Sequence, residues 1–202
     1  MNSKSAEKAV LRKKFLALRK NLSPDFRTEA DIKIYSKLIE LDEIKHTGLI
    51  GAYITDGTEP DLGDFLKFNL KKGKKICLPR KNSTGTYEIA VVSGLSGCEL
   101  IPGAYGIMEP APECPALSDG LYNDVIWLVP GVAFDTEGRR LGRGKAVYDC
   151  LLAKSSGLKI GIFYECQQNA AVPEEKHDYR LDMIVTEKQV YRCNKKMEST
   201  ER

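Results

Sequence analysis

The chain has only two histidines, His46 and His177, so a histidine-rich metal centre is excluded. No apolar run approaches the ~20 residues needed to span a bilayer. The opening stretch MNSKSAEKAVLRKK lacks the apolar core of a signal peptide, so a cytoplasmic protein with no membrane partner is expected. The six cysteines (Cys77, Cys98, Cys114, Cys150, Cys166, Cys193) include no C-x-x-C pair. Without a secretory signal, buried free thiols are the expected state. The common nucleotide motifs are missing too. Where a Walker A loop needs glycine and then serine or threonine, the chain has Arg139 and Ala146, and a G-x-G-x-x-G reading fails at Val147. No internal repeat or low-complexity block is visible.

At 202 residues, 42% hydrophobic and 29% charged, the chain is long enough to bury a sizeable core as one domain. That domain is expected over 1–193, with a polar, disordered tail at 194–202. The net charge of +3 is uneven: residues 1–20 carry a local +6 and the remainder about −3. A nucleic-acid binder is usually more basic, with aromatics among its charges. A compact polyanion such as a nucleotide fits at least as well, and no nucleic-acid partner is expected. No dimerisation signal is visible, which makes a monomer the default.

The stretch that organises the chain is 130–149, PGVAFDTEGRRLGRGKAVYD. An apolar run at 125–129 leads in as a buried strand. A helical pattern through Val147, Tyr148, Leu151 and Leu152 leads out toward Gly157. Between them lie Gly138, Gly142 and Gly144, interleaved with Arg139, Arg140, Arg143 and Lys145. A glycine-rich strand-to-helix loop exposes backbone N–H groups, and cations there suit a phosphate. The competing reading is an ordinary turn with a solvated basic rim. Asp149, one helical turn beyond Lys145, can hold Mg²⁺ against phosphate oxygens or pair with that lysine.

Taken in order, the chain opens with an amphipathic helix over 5–20, with Leu11, Phe15 and Leu18 at helical spacing. Lys8 and Arg12 share a face that is either solvated or reaches the phosphate loop. Ser23-Pro24 starts a second helix. Residues 48–54 read as the first strand, followed by a polar loop to Pro60. A third helix, capped by Asp61, stops at Gly73. Strands are expected at 75–79, 87–92, 158–164 and 181–186, and mostly irregular chain at 93–124. This alternation predicts an α/β fold: a single, largely parallel sheet with helices on both faces. Ligands in such sheets gather at the carboxyl ends of strands, which would bring together the loops at Glu59-Pro60, Pro79-Arg80, 130–149 and Tyr164-Glu165.

Lys8-Ala-Val-Leu-Arg12, the Glu59 loop, Leu78-Pro-Arg80, Gly106-Ile-Met-Glu-Pro110, the stretch PGVAFDTEGRRLGRGK and His177-Asp-Tyr-Arg-Leu-Asp182 followed by Val185-Thr-Glu187 occur in one family's order. The chain resembles the 5-formyltetrahydrofolate cyclo-ligases, also called 5,10-methenyltetrahydrofolate synthetases, over nearly its whole length. The Pro-Gly-x-x-Phe-Asp-x-x-Gly-x-Arg-Leu-Gly-x-Gly run is the specific part. The resemblance implies a NagB/RpiA/CoA-transferase-like fold, a reduced folate substrate, ATP as co-substrate and Mg²⁺. By position, Lys8, Arg12, Arg140, Gly142, Arg143, Gly144, Lys145 and Tyr148 would bind ATP, with Lys145 and Arg143 neutralising charge in the reaction. Ile54, Glu59 and Val147 would face the folate. Asp149 and Asp182 would hold Mg²⁺, although Asp182 also reads as a carboxylate entering a strand. His177 reads as a loop hydrogen-bonding residue.

Where the family has Gly-Lys-Gly-Tyr-Tyr-Asp, this chain has Gly144-Lys145-Ala146-Val147-Tyr148-Asp149. Ala146 adds a Cβ at a close approach and disfavours positive φ. Val147 forgoes an aromatic contact worth about 1–3 kcal/mol. Two other readings stay open: an ATP-dependent ligase or kinase on another pterin or heterocycle, and a non-catalytic nucleotide- or RNA-binding protein.

Overall fold

The computed structural model describes residues 3–103, 106–176 and 178–193. His177 and the tail from 194 onward lie outside them. Helix α1 (Ser3–Lys20) ends on Arg19 and Lys20, cations that complement the negative end of its dipole. Helix α2 (Pro24–Glu40) starts as its sequence dictates: the Ser23 hydroxyl accepts the Phe26 N–H, and Pro24 occupies the first turn. It buries Ala30, Ile34 and Leu38 on one face. A five-residue helix, α3 (Asp42–His46), follows without having been expected.

The strands are β1 (Leu49–Gly51), β2 (Lys75–Lys81), β3 (Tyr87–Val92), β6 (Ile126–Pro130), β9 (Lys159–Ile162), β10 (Met183–Val185) and β11 (Val190–Arg192). They form one sheet in the order β11-β10-β9-β6-β1-β2-β3. The five inner strands run parallel, and β3 and β11 close the two edges antiparallel. Alternation along the strands divides the core. Ile50, Leu128 and Ile160 pack with α2 and α4 (Gly63–Lys71), whereas Leu49, Trp127 and Val129 pack with Leu151 and Leu152 of α5 (Val147–Leu152). The α/β expectation with both faces covered therefore holds.

Three local expectations need correction. The 93–124 region, expected to be mostly irregular, holds a short hairpin: β4 (Leu100–Pro102) pairs antiparallel with β5 (Met108–Pro110), hidden by its Gly- and Pro-rich composition. Helix α5 stops at Leu152, five residues short of Gly157. Cys77 and Cys114 are buried free thiols, but Cys150 is exposed. Burial pushes the Cys77 thiol up to about 12, leaving it protonated and inert.

From β1 the chain steps to β2 and β3 on one side, then returns to β6 on the other and continues outward through β9 and β10. The strand order thus reverses between β1 and β6. In open α/β sheets the crevice at the carboxyl ends of such a pair is the natural ligand site.

Candidate active site

A cavity of about 280 Å³ opens at that reversal point. Tyr53 and Ile54 beyond β1, and Pro130 and Gly131 at the end of β6, form its floor; Leu78 and Pro79 of β2 and Tyr87 of β3 form one wall. The chain from Gly142 to Asp149 also lines it, and the β4–β5 hairpin contributes Met108 and Glu109. Three of the four loops expected to converge do so. The exception is Tyr164-Glu165: Tyr164 is buried elsewhere, its hydroxyl donating to Asp31 Oδ1 at 3.0 Å. Arg80 also turns away, held by Glu88 at 2.8 Å and by the Ala111 and Cys114 carbonyls.

The stretch 130–149 divides into a structural half and a half that faces the cavity. Strands β7 (Ala133–Phe134) and β8 (Arg140–Leu141) make a hairpin. Buried Asp135 organises its turn by accepting the backbone N–H groups of Glu137 and Arg139. Gly138 there has φ +84°, and a Cβ would lie 2.4 Å from the Leu181 carbonyl oxygen, so this glycine is structural. Arg139 pairs with Asp135 at 2.9 Å and does not line the cavity.

Arg140, Gly142, Arg143, Gly144 and Lys145 all line it. Arg140 is buried beside Asp149 at 2.8 Å, donates to the Pro130 carbonyl at 3.1 Å and lies 5.8 Å from the Tyr148 ring. Its Nε is buried without a hydrogen-bond partner. Arg12 reaches from α1 to donate to the Gly142 carbonyl at 2.9 Å, and its guanidinium packs on Gly144, whose φ is +85°. Tyr148 donates to the Ala52 carbonyl at 3.2 Å, tying α5 to the end of β1. With six residues, α5 adds little dipole, so the positive potential comes from side chains. Ala146 adopts φ 55°, ψ 16°, the left-handed conformation its type disfavours, and begins α5 without a side-chain cap.

Ile54, Glu59 and Val147 also line the cavity. Glu59 is 7% exposed, and burial raises its carboxyl above the usual range, with Arg19 opposing the shift. Arg143 pairs with the same segment: Nε lies 3.4 Å from Glu59 Oε1, and Nη2 pairs with Asp56.

Two expected residues stand apart. Lys8 is buried between Glu175 at 2.7 Å and Asp178 at 2.6 Å, and does not line the cavity. Asp182 precedes β10 at the amino end of the sheet, where its carboxylate accepts the Lys159 N–H at 2.9 Å. It therefore cannot share an ion with Asp149, which lies at the carboxyl end. Among the described residues no group of three or more His, Cys, Asp or Glu side chains is arranged to hold a metal. Mg²⁺ is commonly bound through one carboxylate together with substrate phosphates, and Asp149 beside the basic Gly142–Lys145 loop fits that mode.

Sequence reasoning missed Arg19, Asp56 and the contribution of Tyr87. The signal for Arg19 was present. Lys8, Arg12, Phe15 and Arg19 recur at helical spacing and form the inward stripe of α1, while Leu18 is 37% exposed.

The comparisons with known proteins agree with this geometry. The 5-formyltetrahydrofolate cyclo-ligase family profile matches residues 4–187. The chain belongs to that family. It is thus an enzyme that converts 5-formyltetrahydrofolate to 5,10-methenyltetrahydrofolate. A probable 5-formyltetrahydrofolate cyclo-ligase of Schizosaccharomyces pombe is 28% identical over 176 residues, covering 80% of this chain and 85% of that protein. The mitochondrial cyclo-ligase of Arabidopsis thaliana is 28% identical over 206 residues, covering 89% and 74%. The solved structure of the Aquifex aeolicus 5,10-methenyltetrahydrofolate synthetase superposes with a TM-score of 0.81 at 36% identity, over 96% of this chain and 98% of that one. The Arabidopsis relative bears a compartment in its name, so family membership does not decide location. Among the described residues no helix is long and apolar enough to cross a membrane.

Proposed function

We propose that the family's reaction runs here on ATP, with the nucleotide on the Gly142–Lys145 side of the cavity and the folate on the Glu59 side. The formyl oxygen attacks the γ-phosphorus and ADP leaves, giving an iminium phosphate. N10 of the folate then attacks the formyl carbon. Phosphate departs with the former formyl oxygen, N10 loses its proton, and 5,10-methenyltetrahydrofolate remains. The observation that carries this reading is that one cavity at the strand-order reversal joins the glycine–cation loop to the Ile54–Glu59 segment.

The chain's own contribution is positioning and charge neutralisation, the main requirements of phosphoryl transfer. The Gly142 and Gly144 backbone lets phosphate oxygens approach closely, Arg12 braces it, and Arg140, Arg143 and Lys145 supply positive charge. The unpartnered Nε of Arg140 is a donor that an incoming phosphate oxygen can accept. Tyr148 fixes the start of α5. Lys8 reaches a nucleotide only by exchanging its two carboxylate partners. Mg²⁺, when bound, offsets phosphate charge, and Asp149 is the residue that would hold it. Glu59 accepts N–H groups of the pterin, and Ile54 and Val147 make apolar contact.

The test follows methenyl-folate absorbance and ADP release together with 5-formyltetrahydrofolate and Mg-ATP. Equal, Mg²⁺-dependent appearance of both products is expected. Lys145→Ala should lower kcat by about 10²-fold or more. An unchanged turnover in that variant, or methenyl product without ADP, overturns the reading.

A further inference from the structure

The least expected side chain in the fold is Arg19. It is 1% exposed, at the C-terminal turn of α1, in a position where a helix could have buried a leucine. Its guanidinium donates to the Gly131 carbonyl at 3.1 Å, a cavity-floor residue whose carbonyl also accepts Gln167 Nε2. It faces Asp56 at 3.5 Å and Glu59 at 3.6 Å, both too long for good hydrogen bonds. Its Nε and Nη2 have no hydrogen-bond partner. Packing does not explain so poorly satisfied a buried cation; its proximity to two carboxylates does.

Those carboxylates have a second cation, Arg143, and the two cations are unequal. Arg143 sits between Gly142 and Gly144 with a side chain 36% exposed, and the proposed function sends it to phosphate. Arg19 is locked in place. Arg27 donates to the Arg19 and Lys20 carbonyls at 3.2 and 3.0 Å and to the Gly57 carbonyl at 2.7 Å, joining the end of α1 to the loop that carries both carboxylates. Asp56 Oδ1 accepts the Thr58 and Glu59 N–H groups, so that loop is internally fixed as well.

We infer that Arg19 is a positioning residue for folate recognition: it holds the Glu59 carboxylate ionised and aimed into the cavity when Arg143 moves to the nucleotide. The inference rests on the reading of Glu59 as the pterin contact. A buried carboxylate left with no counter-charge takes up a proton and ceases to be a pure acceptor. Arg19 touches neither substrate; it acts through Glu59.

The experiment compares Arg19→Met, Arg19→Lys and Glu59→Gln in the full chain, measuring KM for each substrate and the pH dependence of kcat/KM for 5-formyltetrahydrofolate. Arg19→Met is expected to raise folate KM about tenfold or more, to leave ATP KM within about twofold, and to move the acid limb to higher pH. Arg19→Lys should return the acid limb toward the parent's, and Glu59→Gln should abolish the limb. Should Arg19→Met fail to fold by circular dichroism, Arg19→Lys decides: a folate KM and acid limb both equal to the parent's overturn the inference. Folded Arg19→Met with unchanged folate KM and pH profile overturns it while Glu59→Gln remains defective. Glu59→Gln with normal folate KM overturns the Glu59 reading itself, and this inference with it.

Discussion

Ala146 is the point at which the chain departs from its family's pattern and accepts a conformational penalty, which makes Ala146→Gly the most informative single change. At φ 55°, ψ 16° its Cβ crowds the following carbonyl, an arrangement costing an L-residue about 1–2 kcal/mol. Glycine removes that strain and is also the better residue at a helix start. Against this, glycine gives the unfolded chain extra freedom worth about 0.4–1 kcal/mol. The net stabilisation is about 0.5–1 kcal/mol, or a rise in Tm of about 1–4 °C for a chain of this size. Because Ala146 lines the cavity, the same change brings the loop backbone closer to a phosphate and should lower KM for ATP. Gly144→Ala is the reciprocal control. It places a Cβ at φ +85° and 3.4 Å from the Arg12 guanidinium, so it should lower Tm and raise KM for ATP. Thermal unfolding followed by circular dichroism, with the ADP-release assay on the same preparations, reads both quantities. A fall in Tm for Ala146→Gly, or no change for Gly144→Ala, would show that the left-handed turn is not strained as argued.

Asp31, half-buried under the Tyr164 hydroxyl, has its carboxyl pushed up by burial from 3.8 to about 6. A folded-state pKa above the unfolded one means that stability is greatest below about pH 4 and falls as pH rises through 6. Asp31→Asn should therefore stabilise the protein by about 1 kcal/mol at pH 7–8, after allowing for partial exposure, and by nothing at pH 4; urea unfolding at the two pH values checks it. Asp149→Asn keeps an acceptor for Arg140 but removes the charge, so the Mg²⁺ concentration for half-maximal activity should rise at least about tenfold, as a Mg²⁺ titration of the ADP assay would show. Val147→Tyr adds a ring to the cavity where the proposed function places the folate and should lower folate KM by a factor of about 2–10, measured as methenyl formation against folate concentration.

The parallel strands were legible because each is buried on both faces and so appears as an apolar run: 125–129 overlaps β6 and 158–164 contains β9. The edge at β3 was also expected, but the other edge and the outlying hairpin were harder. Strand β11 (Val190–Arg192) is short and half-exposed, and the β4–β5 hairpin depends on backbone pairing that Gly- and Pro-rich composition disguises. Within the candidate site, residues contiguous in sequence were found readily because Gly142 to Asp149 form one wall. Arg19 and Asp56 were not, since their partnership spans α1 and the loop after β1 and follows from the packing of one on the other.

The misplaced carboxylate, Asp182, shows what a sequence already says about which end of a sheet a residue occupies. In a parallel sheet the residues just after a strand lie at the carboxyl end, and those just before it at the amino end. Glu59 follows β1, Pro79 lies toward the end of β2, and Gly131 to Asp149 follow β6, so all three belong to the crevice. Asp182 precedes β10 and Lys159 opens β9, and their contact marks the opposite end. That rule needs only the strand direction, and it separates Asp149 from Asp182 before any distance is measured. A ligand set for one ion must then be completed from segments that follow strands. Glu59 lies between two arginines, so in the proposed function Asp149, itself paired with Arg140, is the carboxylate that would hold Mg²⁺ with the phosphate oxygens.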